Sequence, residues 1–290
     1  MKLTPPLNRL LAGVLPAAAA LFHTSIASAD NGVCADETLS PGTYGNVTVA
    51  AGTSCTIPSG VTITGNLSAT DAVALVIQGT DPNNPDIIAD CESATVKIDG
   101  NVTIKRLTGN LTVFDACIEG NFMIKDSSAP GRGGLTVLRS TINGNATIKN
   151  SDAVQIRLGS SELGGTNIGG NATVKGNSVD IFLVVNRGTI DGNLTVESNF
   201  AVEEIGIFDR TINGNLIFKN NVSIDEVFPQ FVNRIARNLI HGNLIFIGNT
   251  AIDPVQIDTN TIDGNLNCKK NDPDPIGIDN TIGGNSNCFN

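Results

Sequence analysis

A chain of 290 residues with 40% hydrophobic content is long and apolar enough to bury a sizeable core, which excludes whole-chain disorder. A formal charge of −10, with no basic segment, excludes nucleic acid as a partner, because phosphate binding needs clustered Lys and Arg. One Tyr, no Trp and 11 Phe leave few aromatic platforms for stacking.

Residues 1–29 read as a Sec-type signal peptide: Lys2 and Arg9 precede an apolar run that ends at the small-x-small site Ala27, Ser28, Ala29. A membrane anchor needs about 20 uninterrupted apolar residues, and Pro16, His23, Thr24 and Ser25 break this run. Cleavage after Ala29 would remove two bases and no acid, leaving a more acidic chain with His241 as its lone histidine. No later stretch is apolar for long enough to span a bilayer, so the expected location is extracellular or periplasmic. Such an oxidising destination suits the cysteines, Cys34, Cys55, Cys91, Cys117, Cys268 and Cys288.

From residue 30 the chain divides into an N-terminal cap with irregular first coils, 30–95, and regular coils, 96–290. The regular part repeats Gly-Asn followed by apolar, polar and apolar residues, as in TINGNATIKN (141–150), TIDGNLTVESN (189–199), TINGNLIFKN (211–220) and TIDGNLNCKKN (261–271). The glycines fall at 144, 170, 192, 214, 242, 264 and 284, a period near 22, with weaker copies at Gly45, Gly65, Gly100, Gly109 and Gly120. Each unit alternates with the period of a strand, Leu194 and Val196 to one side and Thr195 and Glu197 to the other. A second apolar run precedes each Gly by about ten residues (Val184 and Val185; Val255 and Ile257; Ile276 and Ile278), and a Thr-Ile pair directly precedes it. Three short strands per coil can bury their apolar faces only against the next copy. The fold class is therefore all-β, a parallel β-helix solenoid with room for about a dozen coils. The segment 222–240 is the one place where a short helix would fit.

The motif Gly264, Asn265, Leu266, Asn267, Cys268 resembles that of right-handed parallel β-helix proteins, in particular secreted bacterial Gly-Asn-Leu-x-Cys repeat proteins of uncharacterised function. The resemblance implies Asn ladders along the axis, here Asn145, Asn171, Asn193, Asn215, Asn243, Asn265 and Asn285 in one column and Asn177, Asn199, Asn221, Asn249 and Asn271 in a second. Sequential cysteines differ by about one coil, which predicts disulfides 34–55, 91–117 and 268–288 rather than free thiols or a metal site. The eight Asn-x-Ser/Thr sequons (46, 66, 101, 110, 145, 171, 193 and 221) arise from the repeat, so they read as structural rather than as glycan acceptors.

A nucleophilic triad needs a His base, and His241 occupies a variable turn position that other coils fill with Asn143, Asp191, Asn213 and Asp263. Pectin lyase-like enzymes on this fold use clustered carboxylates, a basic residue and in some cases Ca²⁺. Five positions before successive glycines stand Arg187, Asp209 and Arg237, candidates for such chemistry but equally for a structural ion ladder. Glu203, Glu204, Asp225 and Glu226 read as loop acids that aid solubility. A stripe on the outer face of the repeat strand, with Lys105, Lys125, Lys149 and Lys175 beside Thr103, Thr147, Thr173 and Thr195, suits a polyanionic glycan. Its bland reading is a strand surface kept soluble by charge, and Met123, Ile217 and Ile245 weaken an ice-binding one. The expected protein is a secreted, non-catalytic structural or surface and glycan-binding module; the alternative is a polysaccharide lyase or hydrolase. No resident cofactor is expected, and cell-surface polysaccharide and end-to-end self-association are the expected contacts. No barrel follows the last repeat, so an autotransporter passenger is not expected.

Overall fold

Each Gly-Asn unit folds into a four-residue strand because its alternation matches the pleat: in Leu194–Glu197, Leu194 and Val196 are buried while Thr195 and Glu197 are half-exposed. The computed structural model describes residues 29–79, 91–130, 134–224 and 233–289, so the expected signal peptide lies outside the described residues except for Ala29. Strands of this kind stack in parallel and in register into an 11-stranded sheet that begins at Gly32–Cys34 and ends at Leu266–Lys269. The remaining strands of every coil form a second, 24-stranded sheet. The described residues contain no helix. Segment 222–240 supplies strands Val222–Ser223, Arg234–Ala236 and Leu239–Ile240, and its residues 225–232 lie outside the described residues.

Two details depart from the sequence reading. The early coils have three strands, but from Ser128–Ala129 onward a two-residue segment also pairs from coil to coil, as in Phe200–Ala201 on Val222–Ser223. Too short to show alternation, it leaves no periodic signal. Gly109 is not a copy of the repeat glycine: Gly109 and Asn110 lead into Leu111–Phe114 of the second sheet. The other repeat glycines form one column in which each amide donates to the preceding glycine's carbonyl, as Gly192 does to Gly170 at 2.9 Å. A Cβ on Gly192 would lie 2.6 Å from Asn171 Oδ1 and 2.9 Å from Gly170 O, so close approach of the coils demands glycine.

The interior is a series of in-register columns. One runs Val102, Phe122, Ala146, Ala172, Leu194, Leu216, where the large Phe122 is followed by two small residues. The next carries Phe218 on Phe246, with ring centroids 5.3 Å apart. In the last coil the inward position belongs to Gly277, covered by the Phe289 ring, and Ile276 and Ile278 face outward, contrary to their apolar reading.

Both expected Asn ladders are present. In the first, each backbone N–H donates to the preceding Asn Oδ1, unbroken from Asn31 to Asn285, and Nδ2 adds a second bond as far as Asn265; Asn193 to Asn171 is typical at 2.9 and 3.2 Å. Six of the eight sequon asparagines, Asn46, Asn66, Asn101, Asn145, Asn171 and Asn193, spend their side chains in this column, and Asn221 spends its own in the second. The second ladder is buried and runs in the opposite sense. Asn177 donates to Asn199 Oδ1 from its backbone at 3.0 Å and from Nδ2 at 2.9 Å, and Asn199 repeats this toward Asn221. Ser127 and Ser151 fill the same column in earlier coils. A third column, Asn238, Asn260 and Asn280, escaped the sequence reading. Above it, Arg210 takes the equivalent slot, with its backbone N–H donating to Asn238 Oδ1 and its buried guanidinium donating to Thr166 O and Leu158 O. Burial pushes that guanidinium down to about 9.

Disulfides join Cys34 to Cys55, Cys91 to Cys117 and Cys268 to Cys288, the expected pairs, with Cα separations of 5.7, 5.0 and 4.8 Å.

Candidate functional site

The outer face of the 11-stranded sheet brings the predicted stripe together. Lys105, Lys125, Lys149 and Lys175 are register partners on four successive strands, followed by Glu197 and Lys219. Strand spacing puts their backbones about 4.8 Å apart. Beside them run Thr103, Met123, Thr147, Thr173 and Thr195, and the first four of these line, with ladder asparagines from Asn66 to Asn171, a shallow trough of about 670 Å³. Two of the lysines have anionic neighbours: Lys125 Nζ lies 3.2 Å from Asp126 and Lys175 Nζ 3.0 Å from Glu197.

The residue after each of these strands turns the corner in the left-handed region, as Asp71, Arg106, Asp126 and Asn150 do. Asp71 and Arg106 form a two-pronged pair at 2.6 and 2.8 Å, so hydrogen bonding from Arg106 holds the Asp71 carboxyl below its ordinary range. At Asp126 burial raises the carboxyl, but hydrogen bonds from Asn150 and Lys125 outweigh it and the group is lowered.

The row Arg187, Asp209, Arg237 falls at equivalent positions of three successive coils, all at left-handed corners of the second sheet, φ 52°, 52° and 57°. Arg237 grips Asp209 with Nε and Nη2 at 2.6 and 2.9 Å, and this hydrogen bonding raises the Arg237 guanidinium. An Asp clamped in this way is poorly placed to act as a base. The column continues upstream in a buried form, where Arg139 pairs with Asp115 at 2.9 Å and lies over the Phe114 ring. His241 is exposed, with Nδ1 2.6 Å from Asp263 Oδ2 one coil on.

The acids expected in loops divide. Asp225 and Glu226 lie outside the described residues, whereas Glu203 is buried and Glu204 opens the strand Glu204–Ile212. Glu204 lines a recess of about 270 Å³ on the outer face of the second sheet, a site that no sequence motif announced. Its floor is a grid of outward residues: Phe182 pairs with Glu204, Val184 with Gly206 and Asn186 with Phe208, and Arg157 pairs with Val184 from the coil before. One wall is the turn Ser160–Gly164, in which Ser160 N donates to Gly164 O and Ser160 Oγ accepts from Glu162 N and Leu163 N. The nearest sequence signal was the step of 26 residues between Gly144 and Gly170, which holds this turn.

The cluster Cys91, Cys117 and Glu119 has metal-ligand geometry, but both sulfurs are spent in a disulfide. No helix among the described residues is long and apolar enough to cross a membrane. No known protein family matches this chain, and no curated protein and no solved structure matches it either.

Proposed function

We propose that this protein is an exported, non-catalytic scaffold whose 11-stranded sheet binds an anionic polysaccharide. The observation that carries this reading is the in-register row of Lys105, Lys125, Lys149 and Lys175 on a flat, exposed face of an otherwise acidic molecule. A polymer with one anionic group per sugar ring presents charge at a pitch comparable to the ~4.8 Å rung spacing, so successive rings can meet successive lysines. The threonines and the exposed Asn amides alongside offer donors and acceptors to ring hydroxyls. Export is supported by the three disulfides, which persist in oxidising compartments, and by the resemblance of the Gly264–Cys268 motif to secreted repeat proteins. The lyase or hydrolase alternative loses ground because the carboxylate of its candidate row is clamped by Arg237.

The test is retention of the oxidised protein on immobilised polyuronate, sulfated glycan and neutral glucan across a salt series. Retention on the anionic matrices should weaken with salt and fall about tenfold or more in the triple variant Lys125→Gln, Lys149→Gln, Lys175→Gln. Equal retention of wild type and variant would refute the proposal. Release of reducing or unsaturated ends would return the lyase or hydrolase reading.

A further inference from the structure

The recess on the second sheet has the construction of a discrete ligand site, and it stands on a different sheet from the lysine row. Gly159 sits in the left-handed region at φ +85°, and a Cβ there would lie 1.7 Å from Asn186 O, so the chain enters the Ser160–Gly164 wall pressed against the Asn186 backbone. Beside this wall Asn186, on the outward side of its strand, is only 8% exposed, and its Oδ1 is buried without a hydrogen-bond partner. A buried amide oxygen left unpaired costs about 1 to 3 kcal/mol, and a hydroxyl donor entering the recess would relieve it.

The other groups narrow the ligand. The Phe208 ring lies flat across the sheet because residue 206 is glycine: a Cβ on Gly206 would be 2.2 Å from Phe208 Cε2. Phe182, on the preceding coil, carries Arg157 over its ring at 4.5 Å. Arg157 is half-buried and makes no salt bridge among the described residues, and burial lowers its guanidinium. Arg157 covers the Phe182 face, so the apolar surface for the C–H face of a sugar comes from the Phe208 ring, with the Arg237 guanidinium carbon 6.0 Å from its centroid, while an unpaired amide oxygen, a guanidinium and the carboxylates of Glu162 and Glu204 suit the hydroxyl rim. The lining carries one base and two acids, which disfavours an anionic ring. The volume, about 270 Å³, sits near the lower bound of ligand pockets, roughly 300 Å³, and fits one ring rather than a running chain.

We propose that this recess, built by Arg157, Phe182, Asn186, Glu204 and Phe208 beneath the Ser160–Gly164 turn, binds a single neutral pyranose ring, either free or as the terminal unit of a glycan. The site is independent of the lysine row and would survive its failure.

Titration of the isotope-labelled, oxidised protein with glucose, galactose, mannose, N-acetylglucosamine and glucuronate, followed by amide chemical shifts, tests this. At least one neutral sugar should bind in the millimolar range, with shifts confined to residues 157–164, 182–186 and 204–208. Phe182→Leu and Arg157→Gln should each weaken binding about tenfold with unchanged thermal unfolding, and the triple lysine variant should bind as wild type does. The proposal is overturned if no neutral sugar shifts these amides at tens of millimolar, if the shifts lie elsewhere, or if glucuronate binds the recess more tightly than every neutral sugar.

Discussion

Replacing Asn199 by alanine isolates what the buried ladder contributes. Asn199 is 1% exposed and ties three coils together: Oδ1 accepts from Asn177 N and Nδ2 at 3.0 and 2.9 Å, while Nδ2 donates to Val174 O at 2.9 Å and to Asn221 Oδ1 at 3.0 Å. Truncation strips the buried Asn177 amide of its acceptor and Val174 O of a donor. At about 1 to 3 kcal/mol for each buried polar group left unmade, and allowing for partial relaxation, the loss should be about 3 kcal/mol. Asn145→Ala is the control. It removes the same kind of links, from Asn171 at 2.8 and 3.3 Å and to Asn121 at 3.0 Å, but on an exposed corner where water can substitute, so about 0.5 to 1 kcal/mol is expected. Asn199→Ser should recover about 1 kcal/mol, because Ser151 Oγ already accepts the Ser127 amide in this column at 3.3 Å. Urea unfolding followed by circular dichroism measures the totals, and hydrogen exchange at the Asn177 amide shows whether the loss is local, as expected where each coil touches only its neighbours. If Asn199→Ala costs no more than Asn145→Ala, burial is not what gives the ladder its strength and the reasoning fails.

Gly192→Ala should destabilise by about 2 kcal/mol or more, since its Cβ would meet Asn171 Oδ1 and Gly170 O; an unchanged melting temperature would contradict the close-packed glycine column. Removing the Cys268–Cys288 bridge, which closes a 20-residue separation, should cost about 3 kcal/mol and raise exchange in the last coils first. Uniform loss of protection along the rod would count against local stapling. Arg139→Leu leaves the buried Asp115 carboxylate without its guanidinium and should cost about 3 to 5 kcal/mol. Adding Asp115→Asn, which tolerates the left-handed backbone there, should restore much of that loss, and a double variant no better than the single one would show that the charge is not the cause.

The sequence disclosed whatever recurs coil after coil. Alternation in units such as 194–197 gave the inward and outward faces, fixed offsets from the repeat glycine gave the lysine row and the positions of the two Asn columns that the resemblance implies, and one-coil gaps between cysteines gave the disulfide pairs. The third column was equally legible, because Asn238, Asn260 and Asn280 each stand four residues before a repeat glycine. Gly109 misled because Gly-Asn before an apolar strand also occurs in the second sheet. The recess was not legible. Its residues come from the non-repeating outward positions of three coils and from a turn inserted in one of them, so no offset links Arg157 to Phe182 or Glu204. Arg210 and Arg139 were hidden for a related reason, since each fills a slot that neighbouring coils give to a different residue type, and only packing shows that these cations are buried.

The opposed directions of the Asn ladders have an electrical consequence. Each amide is a dipole, and stacked amides in one orientation add along the axis as peptide units do in a helix. Past Asn177 the exposed column and the buried columns point opposite ways and offset one another. Through the coils of Asn101, Asn121 and Asn145 the exposed column has no reversed Asn column beside it, because Leu107, Ser127 and Ser151 hold the second position. Those coils carry Lys105, Lys125 and Lys149, and the lysine row gives way to Glu197 soon after the reversed column begins. The side-chain amide dipoles of the solenoid thus add along one part of its length and offset one another along the rest, and Lys105, Lys125 and Lys149 stand on the part where they add.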